Sequence, residues 1–387
     1  MGALAQKIDP DSAVPGFWDR YVRPLAPEQS SPDWHVSPAI DIVAYHFSWA
    51  WVLLPMFFAR QEMTVYYIYA FVMGANLAHR HFGLPYAYLD RDVFHRFERQ
   101  LTWFPQLCIL MLAATPLLLN RGGAIGAAVV GTMVFFSLLW NLWHVYMQKF
   151  GILRLYQAKH AAALRPNTPA WVDKYFILCW IPLYLSFLAP KYKYLILANG
   201  SDVKGPLSWI ISFMERSERW LIAPTAAIAA AGVGLWLWHE WRTRRFQNRP
   251  RMSAAAGMLA LSTTLFWANP VEAYIAFGFS HAVEYMVFVW AFQRRRYARP
   301  QPQPSTMERL LRCPRAWYIG FIAIFAALGM LQASWGTIIM KSAHPMEFFG
   351  LTGAAWLFYY AVYESLVHFY MDGFLWKMRR ADVRDNI

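Results

Sequence analysis

Long apolar runs alternate with short polar segments along the whole chain. Ten runs of about 17 to 25 residues, the length that crosses a bilayer core, fall near 38–58, 64–81, 101–119, 124–148, 172–189, 219–241, 253–269, 271–292, 316–339 and 349–376. The expected fold is therefore all-α, a polytopic membrane bundle of about ten transmembrane helices. Only Ala268, Asn269 and Pro270 separate the seventh and eighth runs, so one helix broken at the proline is an alternative to two. Residues 1–37 are polar and Pro-rich with interspersed Trp, as expected of a cytoplasmic arm resting on lipid headgroups. Residues 38–376 form a single transmembrane domain and residues 377–387 a short cytoplasmic tail.

The polar segments set the expected orientation. Those after even-numbered runs carry Arg80, Arg91, Arg96 and Arg99, then Lys149, Arg154, Lys159 and Arg165, then Arg242, Arg244, Arg245, Arg249 and Arg251, then Arg294 to Arg296. Those after odd-numbered runs hold mainly Arg60, Arg121 and Lys341, so the positive-inside rule places both termini in the cytoplasm. Residues 190–218 run against this count with Lys191, Lys193, Lys204 and Arg216, and within them Trp209 to Met214 reads as an interfacial helix.

Composition fits the same picture. With 58% hydrophobic and 15% charged residues the chain is too apolar for an ordinary soluble domain. Its net charge of +13 lies in segments between apolar runs, which speaks for membrane topology and against nucleic acid. Many of the 20 Trp and 21 Tyr stand near run ends, where interfacial belts form. The N-terminus lacks a basic start followed by an apolar core, so no cleavable signal peptide is expected.

Ionisable residues inside these runs carry the candidate chemistry, because each is costly in hydrocarbon unless it pairs, binds an ion or meets water. Glu364, His368 and Asp372 follow at i, i+4 and i+8 and share one stripe of the last helix. His281 and Glu284 stand at i, i+3, the spacing used in bundle di-metal sites, and His144 precedes Gln148 by four. His79 and His81 close the second run about 200° apart on an ideal helix, so both face one site only if the helix ends there. An echo links two of these places: Asn76 precedes His79 as Asn141 precedes His144, and Phe-Gly follows each.

Such imidazole and carboxylate donors suit iron, manganese or zinc. The expected ligands are His144, His281 and His368 with His79 or His81, and Glu284, Glu364 and Asp372 act as further ligands or catalytic and orienting carboxylates. Cys108, Cys179 and Cys313 form no metal spacing, which argues against thiolate zinc and iron–sulfur clusters. Blander roles fall to His46, near Asp41, as a helix-to-helix hydrogen bond, to His239 with Glu240 as interfacial residues, and to His95, His160 and His344 as loop residues.

The run HRHFGLPYAYLD, from His79 to Asp90, with the dispersed His and carboxylate pairs, resembles the membrane-bound β-carotene-cleaving oxygenases. The resemblance implies an all-helical iron enzyme with His ligands on several spans, and a His with a nearby Asp that would fall on His81 and Asp90 at a spacing unlike that family's. The expected function is a metal-dependent oxidoreductase or oxygenase of a bacterial-type inner membrane, with iron as the expected metal, acting on a lipid or isoprenoid. A proton- or cation-coupled transporter and a membrane acyltransferase with His144 as general base are the alternatives.

Overall fold

A computed structural model describes residues 33–59, 62–160, 168–187, 206–243, 245–268, 270–298, 304–312, 323, 327, 347–377 and 380–386. The chain enters through α1 (Pro38–Ile40), where the Ser37 hydroxyl accepts from the Ile40 N–H and proline occupies the first turn, whose N–H would go unused. One π-helical turn, Asp41–His46, leads to α2 (Ala50–Ala59) across a bend of 56°. Then come α3 (Glu62–Phe82), α4 (Leu84–Leu89), α5 (Arg91–Arg121), α6 (Gly123–His160) and α7 (Ala170–Leu178). The order continues with α8 (Pro206–Arg242), α9 (Arg249–Trp267), α10 (Pro270–Arg296) and α11 (Thr306–Arg312), and closes with α12 (Gly353–Leu375) and α13 (Ala381–Arg384).

Before α12 a small antiparallel hairpin pairs β1 (Glu347–Phe348) with β2 (Leu351–Thr352). Its turn places Gly350 at φ 74°, and a Cβ there would meet the Asn120 side chain at 2.3 Å. Asn120 Nδ2 in turn donates to the Phe349 carbonyl at 2.8 Å, so glycine satisfies both the backbone angle and the close approach of α5.

Fewer helices qualify as membrane spans than the hydropathy pattern predicts. Among the described residues four are long and apolar enough, Arg91–Arg121, Gly123–His160, Glu215–Arg242 and Glu272–Arg296, and the bent pair Pro38–His46 and Ala50–Ala59 makes a fifth if it is one span. The expected count of about ten is not supported. α3 contains Asn76, His79, Arg80 and His81 and α12 contains Glu364, His368 and Asp372, which lower the hydropathy of these two helices, whereas Gly123–His160 and Glu272–Arg296 qualify although they carry His144 and His281. The run 316–339 lies almost wholly outside the described residues. Trp209 to Met214, expected as a separate interfacial helix, is instead continuous with α8. The seventh and eighth runs are two helices, with Ala268 extended after α9.

Four helices close a ring. α3 packs on α10, α10 touches α6, α6 packs on α12, and α12 returns to α3. Where α3 and α10 meet, a Cβ on Gly278 would stand 3.4 Å from the Asn76 amide, an ordinary van der Waals distance. Around the ring, α9 lies against α6 and the π-turn, and α7 lies between α6 and α8. Trp103, Leu110, Leu117, Ile125 and Trp220 are exposed on the outside, as suits a bundle whose outer surface meets lipid.

Two buried polar sets tie the surrounding helices to this ring. Arg251 on α9 donates to Asp173 of α7 at 2.5 Å, to Glu240 of α8 at 2.8 Å and to the Leu153 carbonyl of α6 at 3.1 Å. Glu240 is thus a fully buried ion partner, not the interfacial residue expected. In the second set the Tyr156 hydroxyl donates to Asp41 at 2.9 Å, so it accepts from His46 Nε2 at 2.8 Å. This fixes the His46 tautomer and leaves its Nδ1 to accept from Ser253 at 3.0 Å. His46 therefore serves as an interhelical bond.

Candidate metal centre

Each helix of the ring contributes one histidine to its middle. His79 comes from α3, His144 from α6, His281 from α10 and His368 from α12. Neighbouring rings are nearly perpendicular, with centroids 4.8 Å apart for His79 and His281, 5.0 Å for His281 and His144, 5.0 Å for His144 and His368, and 4.9 Å for His368 and His79. The contacts run around the square in the same order as the helices that bear them.

These imidazoles are hydrogen-bond orphans. His79 and His281 have neither ring nitrogen bonded, and His144 and His368 each leave Nε2 unbonded, although His79, His281 and His368 are at most 3% exposed. A buried polar atom without a partner carries its full desolvation penalty, so an array of them points to a ligand held in common. One donor atom from each of His79, His281 and His368 lies within 4.8 Å of the others, and the same holds for His144, His368 and Asp372. These groups can hold a metal ion, and nitrogen with carboxylate oxygen is a donor set for a borderline transition metal.

Asp372 is fixed at the edge of the square. Tyr285 on α10 donates its hydroxyl to Asp372 Oδ1 at 3.0 Å, and Trp376 Nε1 donates to the same oxygen at 3.0 Å and to the Tyr285 hydroxyl at 3.1 Å. The other oxygen, Oδ2, therefore points at the imidazoles, 3.6 Å from Nε2 of both His144 and His368. Gly83 makes room for this network, since a Cβ there would stand 2.5 Å from the Tyr285 hydroxyl. A Gly83→Ala substitution is expected to push that hydroxyl away from Asp372 and weaken metal affinity by about tenfold, in the range found for groups that orient ligands. Competition with a chromophoric chelator measures it, with Tyr285→Phe as the matching variant.

The other expected site residues fall outside the square. His81 Nδ1 lies 2.9 Å from the Leu77 carbonyl and 3.1 Å from Glu364, and Glu364 also accepts from Arg80 at 3.0 Å. These three form a polar clasp between α3 and α12, so neither His81 nor Glu364 joins the four imidazoles. The roughly 200° between His79 and His81 explains the split, because α3 continues to Phe82 and keeps the two rings on different faces. Glu284 turns from His281 toward α6, where Lys149 and Ser280 donate to one carboxylate oxygen and Gln148 to the other at 3.1 Å. Gln148 Nε2 also donates to the His281 carbonyl at 3.0 Å and so braces the backbone that carries this imidazole. Asp90, implied as a partner of His81, instead accepts from Arg296 at 3.0 Å and Tyr297 at 2.5 Å. His95 and His160 stand on α5 and at the end of α6, and His344 lies outside the described residues.

Lys149, Tyr285 and Trp376 were not legible as functional residues in the sequence. Lys149 reads as the first cation of a loop, but α6 runs on to His160, which puts that ammonium inside the bundle. The helical pattern of the segment after Lys149 was the available signal.

Beside the square lies a cavity of about 320 Å³. Its walls are mainly aromatic, among them Trp140, Trp143, Phe288, Phe369 and Trp376, and His144, Gln148, Tyr285 and Asp372 supply the polar surface. An apolar pocket with a few convergent polar groups is the usual form of a small-molecule site. No protein-family model, curated protein or solved structure matches this chain.

Proposed function

We propose that this chain is a membrane-embedded, metal-dependent oxidoreductase or oxygenase that acts on a lipid or isoprenoid. The supporting observation is the meeting of His79, His144, His281 and His368, with nitrogens lacking other partners, beside an aromatic cavity that shares His144 and Asp372 with them. Iron is the metal proposed, held by these histidines with Asp372 as a carboxylate neighbour. When bound, it supplies redox chemistry and a Lewis acid. The resemblance of the segment His79 to Asp90 to β-carotene-cleaving oxygenases supports the same choice. We also propose a bacterial-type inner membrane with both termini cytoplasmic, the orientation that the distribution of Lys and Arg favours.

The protein's own groups have distinct tasks in this proposal. Trp140, Trp143, Phe369 and Trp376 bind the apolar body of the substrate and exclude water from the reacting atoms. Asp372 Oδ2, oriented by Tyr285 and Trp376, faces both the cavity and the imidazoles, and holds or moves a proton between substrate and the centre. Elemental analysis of detergent-purified protein tests the assignment: about one iron or more per chain is expected, and a preparation with no stoichiometric transition metal sinks it.

One observation favours a second function. The buried Lys149 and Glu284 pair is a costly pair of ionisable groups between α6 and α10, of the type used for proton relay in transporters. Proton-coupled flux in proteoliposomes of metal-free protein would select that alternative.

A further inference from the structure

The cavity has a direction. Its lining residues on α6 are Trp140, Trp143, His144, Met147, Gln148, Gly151, Ile152 and Leu155, a single helical stripe of spacing three and four. Trp140 and Leu155 are fifteen residues apart, so at about 1.5 Å per residue the stripe is about 22 Å long. The cavity of about 320 Å³ lies beside this stripe, and its other walls come from residues 285–288 of α10 and 369–376 at the end of α12. Tyr45 also lines the cavity and packs edge-on to Tyr156 at 6.4 Å.

His144 divides this stripe unequally. It lies four residues from Trp140 and eleven from Leu155, which gives arms of about 6 Å and about 16 Å along the helix. In the long arm stands Gly151, where a Cβ would meet nothing within 4 Å. Glycine is not needed there for backbone or packing: the residue lies mid-helix, and the space beside it belongs to the cavity. Its missing side chain keeps the long arm open.

We infer that the cavity takes one linear apolar chain laid along α6, with the tail beyond His144 in the long arm, and that Gly151 sets the longest chain accepted. An extended hydrocarbon, with bonds of about 1.5 Å in a zigzag, fills the full stripe with about 16 to 18 carbons. Beyond Gln148 the α6 wall is Gly151, Ile152 and Leu155, which match a straight hydrocarbon tail better than a bulky polycyclic ligand. This deepens the metalloenzyme proposal by naming its substrate class and rests on that proposal for the reaction only.

Binding tests it without turnover. cis-Parinaric acid, a linear conjugated chain, is titrated into detergent-purified protein and followed by energy transfer from tryptophan, then displaced by n-alkanols of about 8 to about 18 carbons, a range that brackets the stripe. In the wild type displacement should strengthen with each added methylene until the cavity is full. Gly151→Trp should weaken displacement by the longest alkanols at least about tenfold while leaving the shortest unchanged, and Gly151→Leu should fall between. Gly151→Leu carries the test if the tryptophan variant aggregates. A length profile in either folded variant that superimposes on the wild type, or no binding of parinaric acid to the wild type, overturns the inference. Metal content is measured on the same samples. Length-dependent binding to metal-free wild type sinks the metalloenzyme proposal alone, and a flat length profile in metal-loaded protein sinks this inference alone.

Discussion

Purified protein carrying both His281→Ala and His368→Ala is expected to lose its metal, with affinity reduced by more than about 100-fold, beyond the effect of removing a group that only orients a ligand. The two residues come from α10 and α12, sit on opposite corners of the square, and each face both His79 and His144. Removing both leaves two imidazoles that do not neighbour each other in the ring of contacts, too few donors to retain a transition ion. His81→Ala is the informative control, because its ring faces Glu364 and Leu77 and its loss should leave metal content unchanged. Elemental analysis of the variants beside the wild type reads the result. Full metal content in the double variant would remove the centre from any mechanism.

Arg251→Met is expected to destabilise the folded protein by about 3 to 5 kcal/mol, the usual result of breaking a buried ion pair from one side. Arg251 is 1% exposed and is bonded to both Asp173 and Glu240, each 0% exposed. With methionine in its place two carboxylates remain in the core, where Arg154 still reaches Asp173 at 3.1 Å and, among the described residues, Thr168 reaches Glu240 at 2.9 Å. Adding Asp173→Asn and Glu240→Gln should restore most of the loss, because the penalty belongs to the stranded charges and not to missing packing. Thermal unfolding in detergent of the single and triple variants measures both effects. The site should keep its metal wherever the protein stays folded, since α9 lies outside the four-helix ring.

How far the site could be seen in the chain depends on what each signal encodes. His281, His368 and His144 stood out because an imidazole in an apolar run is rare and costly whatever its partners. Their carboxylate neighbours stand out for the same reason, but of these only Asp372 meets the imidazoles, and Glu284 and Glu364 do not. Glu284 and Glu364 lie three or four residues from a ligand, which fixes their position along the helix, while the nearest cation decides where the carboxylate turns. Lys149 and Arg80 supply those cations from other helices, and no spacing within α10 or α12 encodes them. The sequence pattern allows either His79 or His81, and the continuation of α3 to Phe82 separates one as a corner of the square from the other as half of a clasp.

The sequence by itself determined the materials: helices, an apolar exterior, and ionisable residues placed where hydrocarbon makes them expensive. Those follow from composition and local periodicity, which act over a few residues. The tertiary structure decided which imidazoles meet, which carboxylates are taken by cations, and that an aromatic cavity lies beside the four histidines. Each of these depends on groups more than a hundred residues apart, such as His144 with Asp372 or Lys149 with Glu284, and their approach is set by the packing of whole helices. A helix's own pattern says that it has a polar face, and its neighbours say what that face is for.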